Sequence, residues 1–139
     1  MTDIQKELAE IAGYRISSHP SERYCYRGDA SQIFGNPDYV IRPESTNQVS
    51  RILSLCYEKQ VPVTARGAGT GLSGGCSPVE GGVVLDMSGM NRILEIDIEN
   101  QQVIVEPGVI AEDLNSHLHS FGFFFPLILA AWPCVPLAG

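Results

Sequence analysis

The chain has 139 residues, with nine Lys and Arg against sixteen Asp and Glu and a net charge of −7. That length suits one ordinary domain with a real core. It carries no Lys/Arg cluster, so the electrostatic footprint of a nucleic-acid binder is missing. No apolar run is long enough to span a bilayer, and the charged start MTDIQKELAE is not a signal peptide.

Residues 2–12 read as a helix, with Ile4, Leu8 and Ile11 on one stripe. Residues 13–37 read as irregular. DYVIRP is a short strand halted at Pro43. A helix follows, opened by Ser45 and Gln48 as a capping box, with Thr46 as the other possible cap. Val49, Ile52, Leu53 and Cys56 then recur at helical spacing, and the helix should end near Lys59–Gln60. VPVTA is the next strand, and the strand–helix–strand order favours a right-handed crossover with parallel strands. GGVVLDM is another strand. RILEIDI and QQVIVEP flank Glu99–Asn100 as a hairpin stopped at Pro107–Gly108. The last helix runs from about Ala111 to Phe121, with Leu114, Leu118 and Phe121 in register.

Four cysteines, Cys25, Cys56, Cys76 and Cys134, form no CxxC pair. This argues against a zinc or iron–sulfur site in the chain and for reduced thiols in a cytoplasmic protein. His117 and His119 stand two apart on the predicted last helix, a poor spacing for a helical metal site. They and His19 read as solvent-facing or locally bonded. Asp86, Asp97 and Glu106 lie near strand ends and read as turn or surface groups. No residue stands out as a catalytic acid or base.

The densest signal is RGAGTGLSGG, from Arg66 to Gly75. Seven of the fourteen glycines fall between Arg66 and Gly82. Glycine is costly in backbone entropy, so its clustering needs a reason. Gly69-x-Gly71-x-x-Gly74 fits the dinucleotide fingerprint literally, but that fingerprint should open a helix. Here GCSPVEGG follows, a poor helix former, and no Gly-Lys-Ser/Thr makes it a phosphate loop of the Walker type. What remains is an uncharged loop after a strand, able to aim backbone N–H groups at an anion. Thr70 and Ser73 add hydroxyls and Arg66 adds a positive charge, a set suited to a diphosphate. The bland alternative is a flexible connector.

The run from RPESTNQVSRILSLC through RGAGTGLSGGCSPVEGGVVLDMSGMN to QQVIVEPGV resembles the FAD-binding domain of FAD-linked 2-hydroxy-acid oxidoreductases. These are the D-lactate dehydrogenases and the FAD-binding subunit of glycolate oxidase, within the vanillyl-alcohol oxidase / p-cresol methylhydroxylase (PCMH) superfamily. The resemblance covers about residues 1–126, YRGDAS and GNPDYVIRP included. It implies an α+β fold, the first half of a PCMH-type FAD-binding domain, with a small mixed sheet and flanking helices. It implies that the FAD diphosphate lies along Arg66, Gly67, Ala68, Gly69, Thr70, Gly71, Leu72, Ser73, Gly74 and Gly75. Pro43, Pro107 and Gly108 match further cofactor-lining positions. Covalent members can carry a histidine in this loop. Ala68 and Thr70 stand here instead, so FAD is expected to be non-covalent. In the intact relative, the alcohol carbon of a D-2-hydroxy acid such as glycolate, D-lactate or 2-hydroxyglutarate gives a hydride to the flavin. The electrons then pass to a quinone, a cytochrome or an iron–sulfur partner subunit. Other enzymes on the same fold, such as a sugar-lactone oxidase or a cell-wall precursor reductase, remain open, as does a short non-catalytic nucleotide-binding module.

After HSFGFFFP the resemblance implies a DPSS segment and then Thr-x-Gly-Gly-Asn. The chain reads LILAAWPCVPLAG instead. A codon choice consistent with Pro126 onward, read one nucleotide out of frame, encodes Ala-Asp-Pro-Ser-Ser-Met-Ala-Val-Cys-Thr-Phe-Gly-Gly. The expectation is a partial FAD-binding domain over 1–126 and a frameshifted tail over 127–139. Such a chain is expected to be inactive alone, to bind FAD weakly or not at all, and to aggregate.

Overall fold

The structure is a computed structural model that describes residues 3–126. The frameshift reading of 127–139 and Cys134 lie outside the described residues. Helix α1 is Asp3–Ala12; a single 3-10 turn, Gly13–Arg15, leads into β1, Ile16–Ser17, and then α2, Pro20–Cys25. Strand β2 is Tyr39–Ile41, α3 is Thr46–Glu58, β3 is Val63–Arg66 and β4 is Val83–Asp86. A second 3-10 turn, Met87–Gly89, leads to β5, Ile93–Asp97, and β6, Gln102–Val105, before α4, Ala111–His119.

The main sheet has the order β1-β2-β4-β3. β1 is antiparallel to β2, while β4 runs parallel to both β2 and β3. The expected parallel strands are therefore present, but β2 and β3 are not neighbours, because β4 lies between them. α1 and α3 cover one face, where Leu8, Ile52 and Cys56 bury against Ile41, Val83 and Leu85. Lys59 Nζ reaches Glu7 at 2.9 Å between the two helices. Val40 and Val84, on alternate positions, are also buried, so the middle of the sheet is covered on both faces. The β5–β6 hairpin packs on α4 around Val109, Leu114 and Leu118. This is the expected α+β arrangement, with a small mixed sheet and flanking helices.

The capping box forms with one shift. Ser45 Oγ accepts from the Gln48 amide at 3.3 Å, but Gln48 Oε1 accepts from the Glu44 amide at 2.8 Å, one residue early. Ser45→Ala is expected to cost about 1 kcal/mol, read as a lower denaturant midpoint with unchanged slope.

Two segments depart from the sequence expectation. Residues 13–37 contain β1 and α2, too short to show a period. α2 is started by the His19 cap and Pro20 in its first turn rather than by an apolar stripe. The last helix ends at His119, two residues early. Gly122 takes φ +77°, and the Phe123 amide folds back onto the Leu118 carbonyl at 3.1 Å. That turn leaves Phe121 53 % exposed and brings Phe123 and Phe125 to the core in its place.

Candidate functional site

β2, β3 and β4 run parallel, so their carboxyl ends share one edge. Ile41 pairs with Leu85 and Arg66 with Asp86. Open sheets of this kind bind ligands outside those ends. The edge is held by a polar network around Asp86, which is 4 % exposed. Its Oδ2 accepts from Tyr26 Oη at 2.6 Å and from Arg42 Nε and Nη2 at 2.9 and 2.8 Å. Its Oδ1 accepts from the Ser88 amide at 3.0 Å, and Arg42 Nη2 also donates to Tyr26 Oη at 3.1 Å. Burial alone would raise the Asp86 carboxyl. The Tyr26, Ser88 and Arg42 donors outweigh it and hold that carboxyl below the usual range. Burial first, then the hydrogen bond to Asp86 and the Asp86 charge, push the Tyr26 phenol up.

This corrects two sequence expectations. Asp86 is no surface group, and neither is Glu106, which is buried and accepts from the Arg92 amide at 2.8 Å and from its Nη2 at 2.7 Å. Apart from Ser88, which makes Asp86 the cap of the Met87–Gly89 turn, their partners sit far off in sequence, so no local pattern announces their burial. Asp97 does belong to a turn, accepting from the Asn100 amide at 3.0 Å. His117 Nδ1 lies 2.7 Å from the Asp113 carbonyl on an exposed face, and His119 is exposed.

β3 runs directly into the glycine loop. Arg66 is only 9 % exposed. Its Nη1 donates to the Gly28 carbonyl at 2.6 Å, and its guanidinium lies 5.4 Å from the Tyr26 ring centroid. The expectation of a charge beside the loop holds in an unexpected form, since the guanidinium lies beneath it. Gly69 has φ +73°, and a Cβ there would fall 2.1 Å from Arg66 Nη2. Gly67 is buried; Gly69, Thr70, Gly71 and Gly74 are half-buried; Ala68, Leu72, Ser73 and Gly75 are exposed. The Ser77 amide closes the loop on the Gly74 carbonyl at 3.1 Å. Asp29 flanks it, accepting from the Ser31 amide at 3.0 Å, from the Ser31 hydroxyl, and from Cys76 Sγ at 3.4 Å.

Pro43, Pro107 and Gly108 gather elsewhere, at the Met87–Gly89 turn. Pro43 is fully buried, and its carbonyl would lie 2.7 Å from a Cβ on Gly89. The Gly108 amide donates to the Met90 carbonyl at 2.8 Å, and a Cβ on Gly108 would fall 2.2 Å from the Met87 carbonyl. The predicted site residues thus form two groups, one in the loop and one at the turn that leaves β4.

Three features of the loop fit a dinucleotide diphosphate. Among the described residues, no protein acceptor takes a hydrogen bond from the amides of Gly69–Gly75. A Cβ on Gly75 would meet open space, so the fold itself does not demand glycine there. Ser77 Oγ, at the loop's exit, is buried without a partner among the described residues. A run of unpaired N–H groups beside a guanidinium can receive an anion. Among the described residues no cluster of His, Cys, Asp and Glu could hold a metal ion, and no helix is long and apolar enough to cross a membrane.

The fold and this edge define a nucleotide-cofactor domain. Residues 37–139 match the FAD binding domain family, and the chain belongs to that family. It is 43 % identical over 126 residues to glycolate oxidase subunit GlcD of Bacillus subtilis, covering 89 % of this chain and 27 % of that protein. It is 36 % identical over 129 residues to the mitochondrial D-lactate dehydrogenase [cytochrome] of Arabidopsis thaliana, covering 90 % of this chain and 23 % of that one. The chain therefore spans about a quarter of the length of these curated relatives. The structure of p-cresol methylhydroxylase with substrate bound superposes with a TM-score of 0.74 over 93 % of this chain and 26 % of the other, at 23 % identity. That is a likeness of fold, and it matches the PCMH-type arrangement.

Proposed function

We propose that the chain is the diphosphate-holding part of an FAD-linked oxidoreductase that converts a D-2-hydroxy acid, glycolate or D-lactate, to the 2-oxo acid. The observation that carries this reading is the Arg66–Gly75 loop at the carboxyl ends of parallel strands, with unpaired amides above a buried guanidinium. The identity to glycolate oxidase subunit GlcD supports the substrate class.

FAD, when bound, supplies the two-electron acceptor that an alcohol oxidation requires. The amides from Gly67 to Gly75 and the hydroxyls of Thr70 and Ser73 would hold its diphosphate, with Pro43, Pro107 and Gly108 as a second wall. Arg66 would balance part of the negative charge from below. Ala68 and Thr70 offer no histidine for a covalent link, so attachment is non-covalent. Reduced flavin would be reoxidised by a separate acceptor, a quinone, a cytochrome or an iron–sulfur partner subunit. A reducing compartment such as the cytoplasm is part of this reading, since the four widely spaced cysteines form no CxxC pair. The chain by itself is proposed to be inactive, because substrate selection and deprotonation fall to groups outside it.

Fluorescence titration with FAD tests the reading. The chain is expected to quench FAD saturably but weakly, with a dissociation constant in roughly the micromolar range. ADP should compete and riboflavin should not, since the loop reads the diphosphate. Acid precipitation should leave all flavin in the supernatant. Flavin that stays with the pellet would refute non-covalent attachment, and absence of saturable quenching by chain shown to be folded and soluble would remove the loop's diphosphate role. Dye reduction driven by glycolate or D-lactate in the chain alone would refute its inactivity.

A further inference from the structure

We infer that Arg66 and Tyr26 are positioning residues for the cofactor loop: Arg66 props the loop from inside, and Tyr26 acts through Arg66. The inference rests on the FAD reading above and deepens it, since it assigns the N-terminal segment Tyr26–Gly28 to the same site.

The first observation is a pairing that does not form. Arg66 stands in register beside Asp86, where an ion pair would be the default. The Asp86 oxygens are already taken by Tyr26, Arg42 and Ser88. The Arg66 guanidinium turns instead to the Gly28 carbonyl at 2.6 Å. The second observation is the space it fills. The chain arcs from Arg66 over its own guanidinium, so closely that a Cβ on Gly69 would fall 2.1 Å from Nη2 and 2.4 Å from Cζ. Among the described residues no protein acceptor holds the amides of Gly69–Gly75, so no backbone ladder orders that stretch. Ser77 closes the far end on the Gly74 carbonyl, and the arc from Gly67 to Gly71 takes its shape from what lies under it. The third observation is the seat of the prop. The Tyr26 ring lies 5.4 Å from Arg66 Cζ, and its hydroxyl is fixed by Asp86 and Arg42. A planar guanidinium can stack on that ring while donating sideways to Gly28; an ammonium cannot do both.

The role differs from that of a phosphate ligand in what lysine can replace. A direct ligand needs a charge, which lysine keeps. A prop needs the planar fork and its volume, which lysine lacks. The test is ¹⁵N relaxation of the full chain without ligand, followed by FAD titration, for Arg66→Lys, Arg66→Met, Tyr26→Leu and Tyr26→Phe. The order parameters of Gly67, Gly69 and Gly71 are expected to be about 0.85 in the unsubstituted chain. They should drop below ~0.6 in Arg66→Lys, Arg66→Met and Tyr26→Leu, and Tyr26→Phe, which keeps the ring, should restore them. The FAD dissociation constant should rise at least ~10-fold in the same three variants, and by the same factor at low and high salt in Arg66→Lys and Tyr26→Leu, which keep the positive charge. Amide shifts of α3 and β4 report that each variant is folded. A rigid loop and unaltered FAD affinity in Arg66→Lys would overturn the inference and return Arg66 to a simple charge. A rigid loop in Tyr26→Leu would overturn the part assigned to Tyr26. Should the unsubstituted chain fail to bind FAD, the cofactor reading falls, while the relaxation data still decide whether these residues hold the loop.

Discussion

Asp86→Ala is expected to lower the unfolding free energy by about 3 kcal/mol, and the Tm by roughly 10 °C. The carboxylate is buried at the end of β4 and satisfies Tyr26, Arg42 and the Ser88 amide together. Removing it strands a half-buried phenol and a backbone amide with no replacement acceptor. Arg42 keeps part of its guanidinium in solvent, its side chain being 46 % exposed. That exposure holds the cost below that of a fully enclosed pair. The sign of the pH effect follows from the depressed carboxyl. The folded value lies below the unfolded one, so the stabilisation is complete above the unfolded value of about 3.9 and is lost as pH falls through the folded one. Asp86→Asn is therefore expected to flatten the fall of stability below about pH 4. Calorimetry of the two proteins across that range checks it; parallel curves would show that Asp86 is not the titrating group.

Gly69→Ala is expected to weaken FAD binding at least ~10-fold while leaving the α3 and β4 core folded. Two effects act together. Alanine at φ +73° is strained by about 1–2 kcal/mol. The new methyl also lands on the Arg66 guanidinium, which cannot swing away cheaply because the Gly28 carbonyl and the Tyr26 ring hold it. Gly75→Ala is the internal control: its Cβ meets open protein space, so any loss of FAD affinity there reports the ligand rather than the fold. Equal, unchanged affinities in both variants would mean that FAD does not lie on this loop.

Much of the fold is legible in the sequence because its signals are local. α3 announces itself through Ser45 and the spacing of Val49, Ile52 and Cys56, and the hairpin through alternation on either side of Glu99–Asn100. β1 and α2 are illegible because two residues and six residues cannot show a period. The insertion of β4 between β2 and β3 is illegible for another reason: strand order is decided by which apolar faces meet, and every parallel strand here reads alike. The site divides the same way. Clustered glycines reveal a loop that something approaches. They do not reveal that Arg66 points inward, because that depends on Tyr26 and Gly28 across a long sequence gap. Asp86 does cap the turn that leaves β4, as a turn group should, but its burial is not legible for the same cause, since its other donors come from α2's exit and from the end of β2.

The strand order has a kinetic consequence. β2 and β3 leave the ribosome early and in sequence, yet neither has a parallel partner until β4 follows. The sheet therefore closes by a late, non-local step, with the glycine-rich connection after β3 as the tether that delivers β4 into the gap. The segment proposed to receive the cofactor is thus also the one whose length and flexibility govern when the sheet can zip. Stiffening it should slow refolding even where it spares the native state.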